Sequence, residues 1–268
     1  PGVVVHLDGR ESYAPQGGIG LYTWSVTGPP SAKVSLLPDS ISPQVTSVVD
    51  VIGDYTFSLG VMDAQGMMSP ELAHKTLSVE PWATLHIELV WSTPTDTDQY
   101  DTGPIAGTDL DLHFVREGAV GVDVDEDGLG DGWFDVEADC YWFNPFPDWG
   151  DYSLPTNDDP FLQRADADGW GPEYLVFDLP KEGMTYRIGV HAWADHGFGP
   201  STATLRVYVL GDLKFEETLP ALEQGQLWDV ATLTWDGWPT ATITTRAYPS
   251  GMPRVFSDVS PVAASVEP

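Results

Sequence analysis

The sequence predicts an all-β protein of two β-sandwich domains in tandem. Three observations predict it. Apolar residues recur at every second position in short runs, which is the period of a strand with one buried face. Turn formers separate those runs: the chain holds 27 Gly and 23 Pro, the punctuation that antiparallel hairpins need. No segment carries a convincing helical period, and PALEQGQ (220–226) makes a turn at most.

The strands follow in order. The chain opens on a strand-like PGVVVHLDG, as expected of a piece of something longer. LYTWSV sets Tyr22, Trp24 and Val26 on one face, and DYTFSLGVMD does the same for Tyr55, Phe57, Leu59 and Val61. A boundary falls near 79–83, where TLSVE closes one set of strands and PWA interrupts. LHIELVW then aligns Leu85, Ile87, Leu89 and Trp91, and ATLRVYVL aligns Ala203, Leu205, Val207 and Val209. This gives domains at 1–80 and 81–238. From about 238 the chain is rich in Thr, Ser and Pro, so 239–268 reads as a linker or loosely attached tail with one strand-like run at 240–248.

Charge excludes some partners. With 41 acidic against 11 basic residues the net charge is −30, which repels nucleic acid and anionic membrane surfaces. No apolar run is long enough to span a bilayer, and no signal peptide is evident. Bound cations would offset the self-repulsion, since one ion neutralises several carboxylates; a general acidic bias for solubility is the competing reading. The single cysteine, Cys140, permits no intrachain disulfide and reads as a small buried hydrophobe.

Residues 1–80 carry VHLDGRESYAPQGG, LYTWSVTGP, GDYTFSLGVMDAQGMMS and KTLSV. This segment resembles a PKD-type (polycystic kidney disease) immunoglobulin-like domain, with its LDG-x-x-S turn, Y-x-W strand and G-x-Y-x-F-x-L-x-V-x-D-x-x-G strand pair. The resemblance implies an extracellular spacer or adhesion module. The usual first strand is reduced to GVVV, which would leave a sheet edge short of a partner.

Residues 83–236 hold ELVWSTPTDTDQYDTGPIAGTDLDLHF, DADGWGPEYLVF, GMTYRIGVHAW and STATLRVYV. They are similar to the YfaP-like group of bacterial secreted β-sandwich modules, interrupted here by a long acidic, aromatic insertion at 116–162. The resemblance implies a surface or periplasmic location and brings no activity with it.

Metal chemistry has two candidate places. In VDVDEDGLGDGWFD, 122–135, six of fourteen residues are acidic. With Asp123 at loop position 1, Asp125 falls at 3, Asp127 at 5, Gly128 at 6, Leu129 at 7 and Asp131 at 9, the opening of a calcium loop. Position 12 is Phe134, so Asp135 or Asp139 would supply the closing ligand. Without metal the loop would hold repelling carboxylates and no apolar anchor; a solvated acidic loop is the alternative. The second place is the strand DLDLHF. Leu110, Leu112 and Phe114 point to the core, so Asp109, Asp111 and His113 face outward or line a strand-end site. Asp109 and Asp111 would lie roughly 6–7 Å apart, close enough for calcium to bridge them with Asp166, Asp168 or Glu173. Turn-capping by Asp111 and Asp168 competes with that reading.

Six aromatics lie within 141–152. Tyr141, Trp142, Phe146 and Trp149 are the candidate contact face for a protein or a carbohydrate; a lid packed on its own small core is the alternative. His191, Asp195 and His196 offer imidazole for a transition metal, but their spacing matches no hydrolase pattern, and surface or turn histidines are the plainer reading. No nucleophile elbow, Cys–His pair or phosphate loop is found. The expectation is a non-enzymatic, extracellular bacterial surface protein stabilised by structural Ca2+, serving attachment or assembly. The alternative is a polysaccharide-binding accessory module of a secreted hydrolase. In the assembly version, the strand at 240–248 would fill a neighbour's short first domain and build fibres; in the plain version it pairs within its own chain or links to another domain.

Overall fold

The computed structural model describes residues 2–15, 17–99, 103, 105–150, 158–167, 169 and 171–260. They are all-β, with antiparallel strands and no helix among the described residues. The chain divides into two compact units, 1–81 and 82–268.

The first unit contains β1 (Val3–Asp8), β2 (Ile19–Thr27), β3 (Gln44–Val49), β4 (Gly53–Asp63) and β5 (Ala73–Val79). β1 pairs with β3, and β2, β4 and β5 form a second sheet. Trp24, Val45, Val49, Val51, Tyr55 and Phe57 are buried. The hydroxyl of Tyr55 donates to the carbonyl of Val51 at 2.9 Å and accepts from its N–H at 3.1 Å, so the ring's polar tip is satisfied inside. Gly53 has φ +136°, and a Cβ there would stand 2.6 Å from Cγ of Pro29, so the turn into β4 requires glycine. All six residues of β1 pair with β3, from Val3 opposite Val49 to Asp8 opposite Gln44, in a two-stranded sheet.

The second unit contains β6 (Leu85–Ser92), β7 (Asp109–Arg116), β8 (Asp139–Cys140), β9 (Phe161–Arg164), β10 (Glu173–Phe177), β11 (Thr185–Ala194), β12 (Ser201–Val209), β13 (Asp212–Leu222), β14 (Leu227–Gly237), β15 (Thr240–Thr245) and β16 (Arg254–Phe256). One sheet runs β13-β12-β6-β10-β9 and the other β15-β14-β11-β7-β8, with β16 also on β14. Leu85, Ile87, Leu89 and Trp91 of the first sheet pack against Leu110, Leu112, Phe114, Ile188 and Val190 of the second. Aligned inner faces of this kind make a β-sandwich core.

Two expectations need correction. Of the two places the alternation left open for the polar residues of β7, the outward one does not hold for Asp111 and His113: both are buried along with Leu110 and Leu112, while Asp109 at the strand end is half-buried. The insertion covers that outer face with a second core of Val122, Trp133, Phe134 and Tyr141, joined by Val115, Leu227, Phe256 and Val259. The loop at 122–135 therefore has apolar anchors, which sequence spacing did not show. The segment after 238 is not a loose linker through residue 260. β15 pairs with β14 from Thr245 opposite Ala231 to Thr240 opposite Gly237, and β16 pairs with Leu227–Asp229. The strand at 240–245 thus has a place in its own sheet.

Candidate metal and ligand site

β7 and β11 place the chemistry. Their register sets Asp111 opposite His191, His113 opposite Gly189 and Asp109 opposite Ala194. At the strand ends, Asp109, Asp111, Asp166 and Glu173 line one cavity of about 280 Å³ with Ala165, Ala167, Trp142 and Trp193. The structure therefore gathers the strand-end acids expected from the sequence, except Asp168, which lies outside the described residues. Glu173 is held rigidly: Oε2 accepts from the N–H of Leu112 at 2.7 Å and Oε1 from that of Asp166 at 3.1 Å. Burial pushes its carboxyl well above the usual range, and the negative charge of Asp111 adds to this. Burial likewise raises Asp109 to about 7, with help from Asp111 and Asp166. Arg164 donates to Asp166 at 2.7 Å. Four carboxylates around one partly enclosed space form an oxygen-rich set that suits a hard cation such as calcium.

Only part of the insertion loop gathers as expected. Carboxylate oxygens of Asp123, Asp125 and Asp131 lie within 4.8 Å of one another. Gly128 takes φ +88° at the bend. Much of the remaining carboxylate capacity serves the loop itself. Asp123 accepts from the N–H groups of Asp127 (3.2 Å) and Gly128 (2.8 Å), and Asp127 accepts from that of Leu129 at 2.8 Å. Asp131 accepts from Val124 N–H at 3.0 Å, and Arg187 donates to its backbone carbonyl at 2.6 Å. Asp127 is a turn cap rather than a member of the cluster. Asp135 is turned away to accept from Val120, Glu137 and Ala138, and so does not close the set. The side chain of Leu129 is exposed.

The aromatic face divides. Tyr141 is buried in the second core and stacks on His113, with ring centroids 4.9 Å apart. Trp149 packs on the main core, stacked on Tyr186 at 5.9 Å. Neither is an exposed contact residue, because the insertion folds back onto the sandwich. Trp142 and Phe146 remain exposed. Trp142 meets Trp193 edge to face at 5.8 Å beside the acidic cavity, a partner that sequence spacing did not supply.

The three residues of the HAWADHGFGP segment separate. His191 is buried. His196 Nδ1 bonds the carbonyl of Gly107 at 2.7 Å, and Asp195 caps its turn through Gly197 N–H at 2.9 Å. Cys140 is buried, and burial together with Asp139 pushes its thiol well above the ordinary range.

No protein-family model matches the sequence, and neither the search of curated proteins nor that of solved structures returns a match.

Proposed function

We propose that this protein is a non-enzymatic, calcium-stabilised attachment module that acts outside the cell and grips polysaccharide. The observation that supports this is the pair Trp142 and Trp193, 5.8 Å apart, standing over a cavity lined by Asp109, Asp111, Asp166 and Glu173. Indole faces stack on the apolar faces of sugar rings, and fixed carboxylates accept hydrogen bonds from sugar hydroxyls. Calcium in the cavity would hold those acids in place and neutralise them. The resemblance of 1–80 to PKD-type domains, and of 83–236 to the YfaP-like secreted modules, supports the extracellular setting. The net charge of −30 argues against nucleic acid as the ligand.

The test is a glycan array followed by titration calorimetry, with calcium and with chelator. Trp142→Ala and Trp193→Ala should each weaken binding about tenfold or more, the equivalent of about 1.4 kcal/mol. Binding untouched by both substitutions, or no glycan bound at all, would sink the reading and return the aromatic pair to a protein partner.

A further inference from the structure

The outer face of the second sheet holds a group that the polysaccharide reading touches only through Asp111. Asp111 and His113 on β7 and His191 on β11 are buried, each under 4% exposed. One ligand atom from each lies within 4.8 Å of the others. The two imidazoles are oriented from behind. His113 Nδ1 sits 2.6 Å from Oδ2 of Asp139, which also accepts the N–H of Phe134 at 2.8 Å. With Nδ1 engaged by Asp139, Nε2 is the ring nitrogen that a neutral His113 has left to offer a metal. His191 Nε2 sits 3.2 Å from the carbonyl oxygen of Val259. With Nε2 engaged there, Nδ1 is the nitrogen that a neutral His191 has left to offer a metal.

Three acceptors therefore converge: His113 Nε2, His191 Nδ1 and Asp111 Oδ2. None of these atoms has a hydrogen-bond partner among the described residues. Nδ1 of His191 lies 3.7 Å from Oδ2 of Asp111. Converging buried lone pairs with no donor are costly, and a cation relieves that cost. Phe134, Tyr141 and Trp133 surround His113 at centroid distances of 4.7, 4.9 and 6.1 Å.

We infer that Asp111, His113 and His191 form a transition-metal site, with zinc as the fitting ion. Two imidazoles and one carboxylate are a zinc donor set, and a hard cation such as calcium prefers oxygen alone. Asp139 and the Val259 carbonyl are the outer partners that fix ring orientation, as metal-bound histidines require. The metal would tie the insertion, through Asp139, and the 254–259 segment, through Val259, to the sheet. Asp111 also lines the acidic cavity, which gives the ion a route in.

The full chain, stripped with a chelator and dialysed, is titrated with zinc and separately with calcium. One equivalent of zinc should bind, and excess calcium should not displace it. His191→Gln should abolish stoichiometric uptake, and Asp139→Asn should weaken it about 10–100-fold. Cobalt substitution of the unaltered protein removes any dependence on variant folding. It should give the visible bands of a four-coordinate nitrogen and oxygen site, and two hyperfine-shifted exchangeable imidazole protons, one from His113 and one from His191. Zinc displaced by calcium, uptake unaffected by His191→Gln, or cobalt without those two shifted protons would overturn the inference.

Discussion

Gly189 lies against the indole of Trp133: a Cβ added there would stand 2.7 Å from both Cη2 and Cζ3. The guanidinium of Arg187, on the same strand, lies 4.6 Å from the ring centroid of Trp133. The insertion thus docks by one large ring over a position where the sheet has no side chain. Gly189→Ala should lower stability by about 1–3 kcal/mol through overpacking, read as a lower urea midpoint. Trp133→Phe in the same chain should recover part of that loss, because it removes the atoms in conflict. An unchanged midpoint in Gly189→Ala would show that the ring is not held there.

Asp135 supplies a pH dependence. Burial works against its charge, but the N–H groups of Val120, Glu137, Ala138 and Gly121 outweigh it and hold the carboxyl below its ordinary value. As pH falls, the unfolded chain therefore takes up this proton before the folded one does. The contribution is full above the ordinary carboxylate value and is lost as pH drops through the folded value. Asp135→Asn should melt lower than the parent at about pH 7, and the gap should close below about pH 4. A gap that stays constant with pH would rule out the charge as its source.

Calcium binding at the insertion loop should appear in the thermal melt. At a hundredfold excess over Kd, the ion should add about 2.7 kcal/mol, or several degrees for a chain of this size. Asp125 is the clean probe: it belongs to the three-carboxylate cluster, and Arg254 lies 3.6 Å from it. Asp125→Asn should leave the calcium-free melt nearly unchanged and blunt the response to calcium. Equal responses in both proteins would place the ion elsewhere.

Two tryptophans of the insertion should behave oppositely. Trp149 stacks on Tyr186, and its Nε1–H donates to the carbonyl of Glu137 at 3.2 Å. Trp149→Ala should cost on the order of 2–3 kcal/mol, given partial burial. Trp142→Ala should leave stability within about 0.5 kcal/mol, since that ring is 43% exposed. Calorimetry of the pair decides it, and matching losses would contradict the division of the aromatic face.

The strands were legible because period-two alternation survives wherever one face meets the core, as in Leu85, Ile87, Leu89 and Trp91. The loop glycine at 128 was legible for a different reason: a sharp acidic bend leaves few alternatives. Alternation could not say whether the other face of β7 was wet. D-x-D-x-H reads the same under solvent as under an insertion, and only the docked Trp133 and Phe134 decide between them. Nor could spacing join His113 to His191, because that contact depends on the register of β7 against β11. The one available hint was His191 standing two residues after Gly189 on an alternating strand, with a glycine where a large neighbour would need room. β15 was legible as the strand-like run at 240–248 but its partner was not, and β16 was hidden by composition. Thr-rich edge strands and linkers look alike until a partner strand is present.

The carbonyl of Val259 that holds His191 is made long after either histidine. A ribosome completes β7 and β11 more than sixty residues before that cap exists. Until then, any nascent sandwich holds two imidazoles and an aspartate with one side unfinished. The closing segment from 254 to 259 thus completes this face last, through β16 on β14 and the Val259 carbonyl on His191.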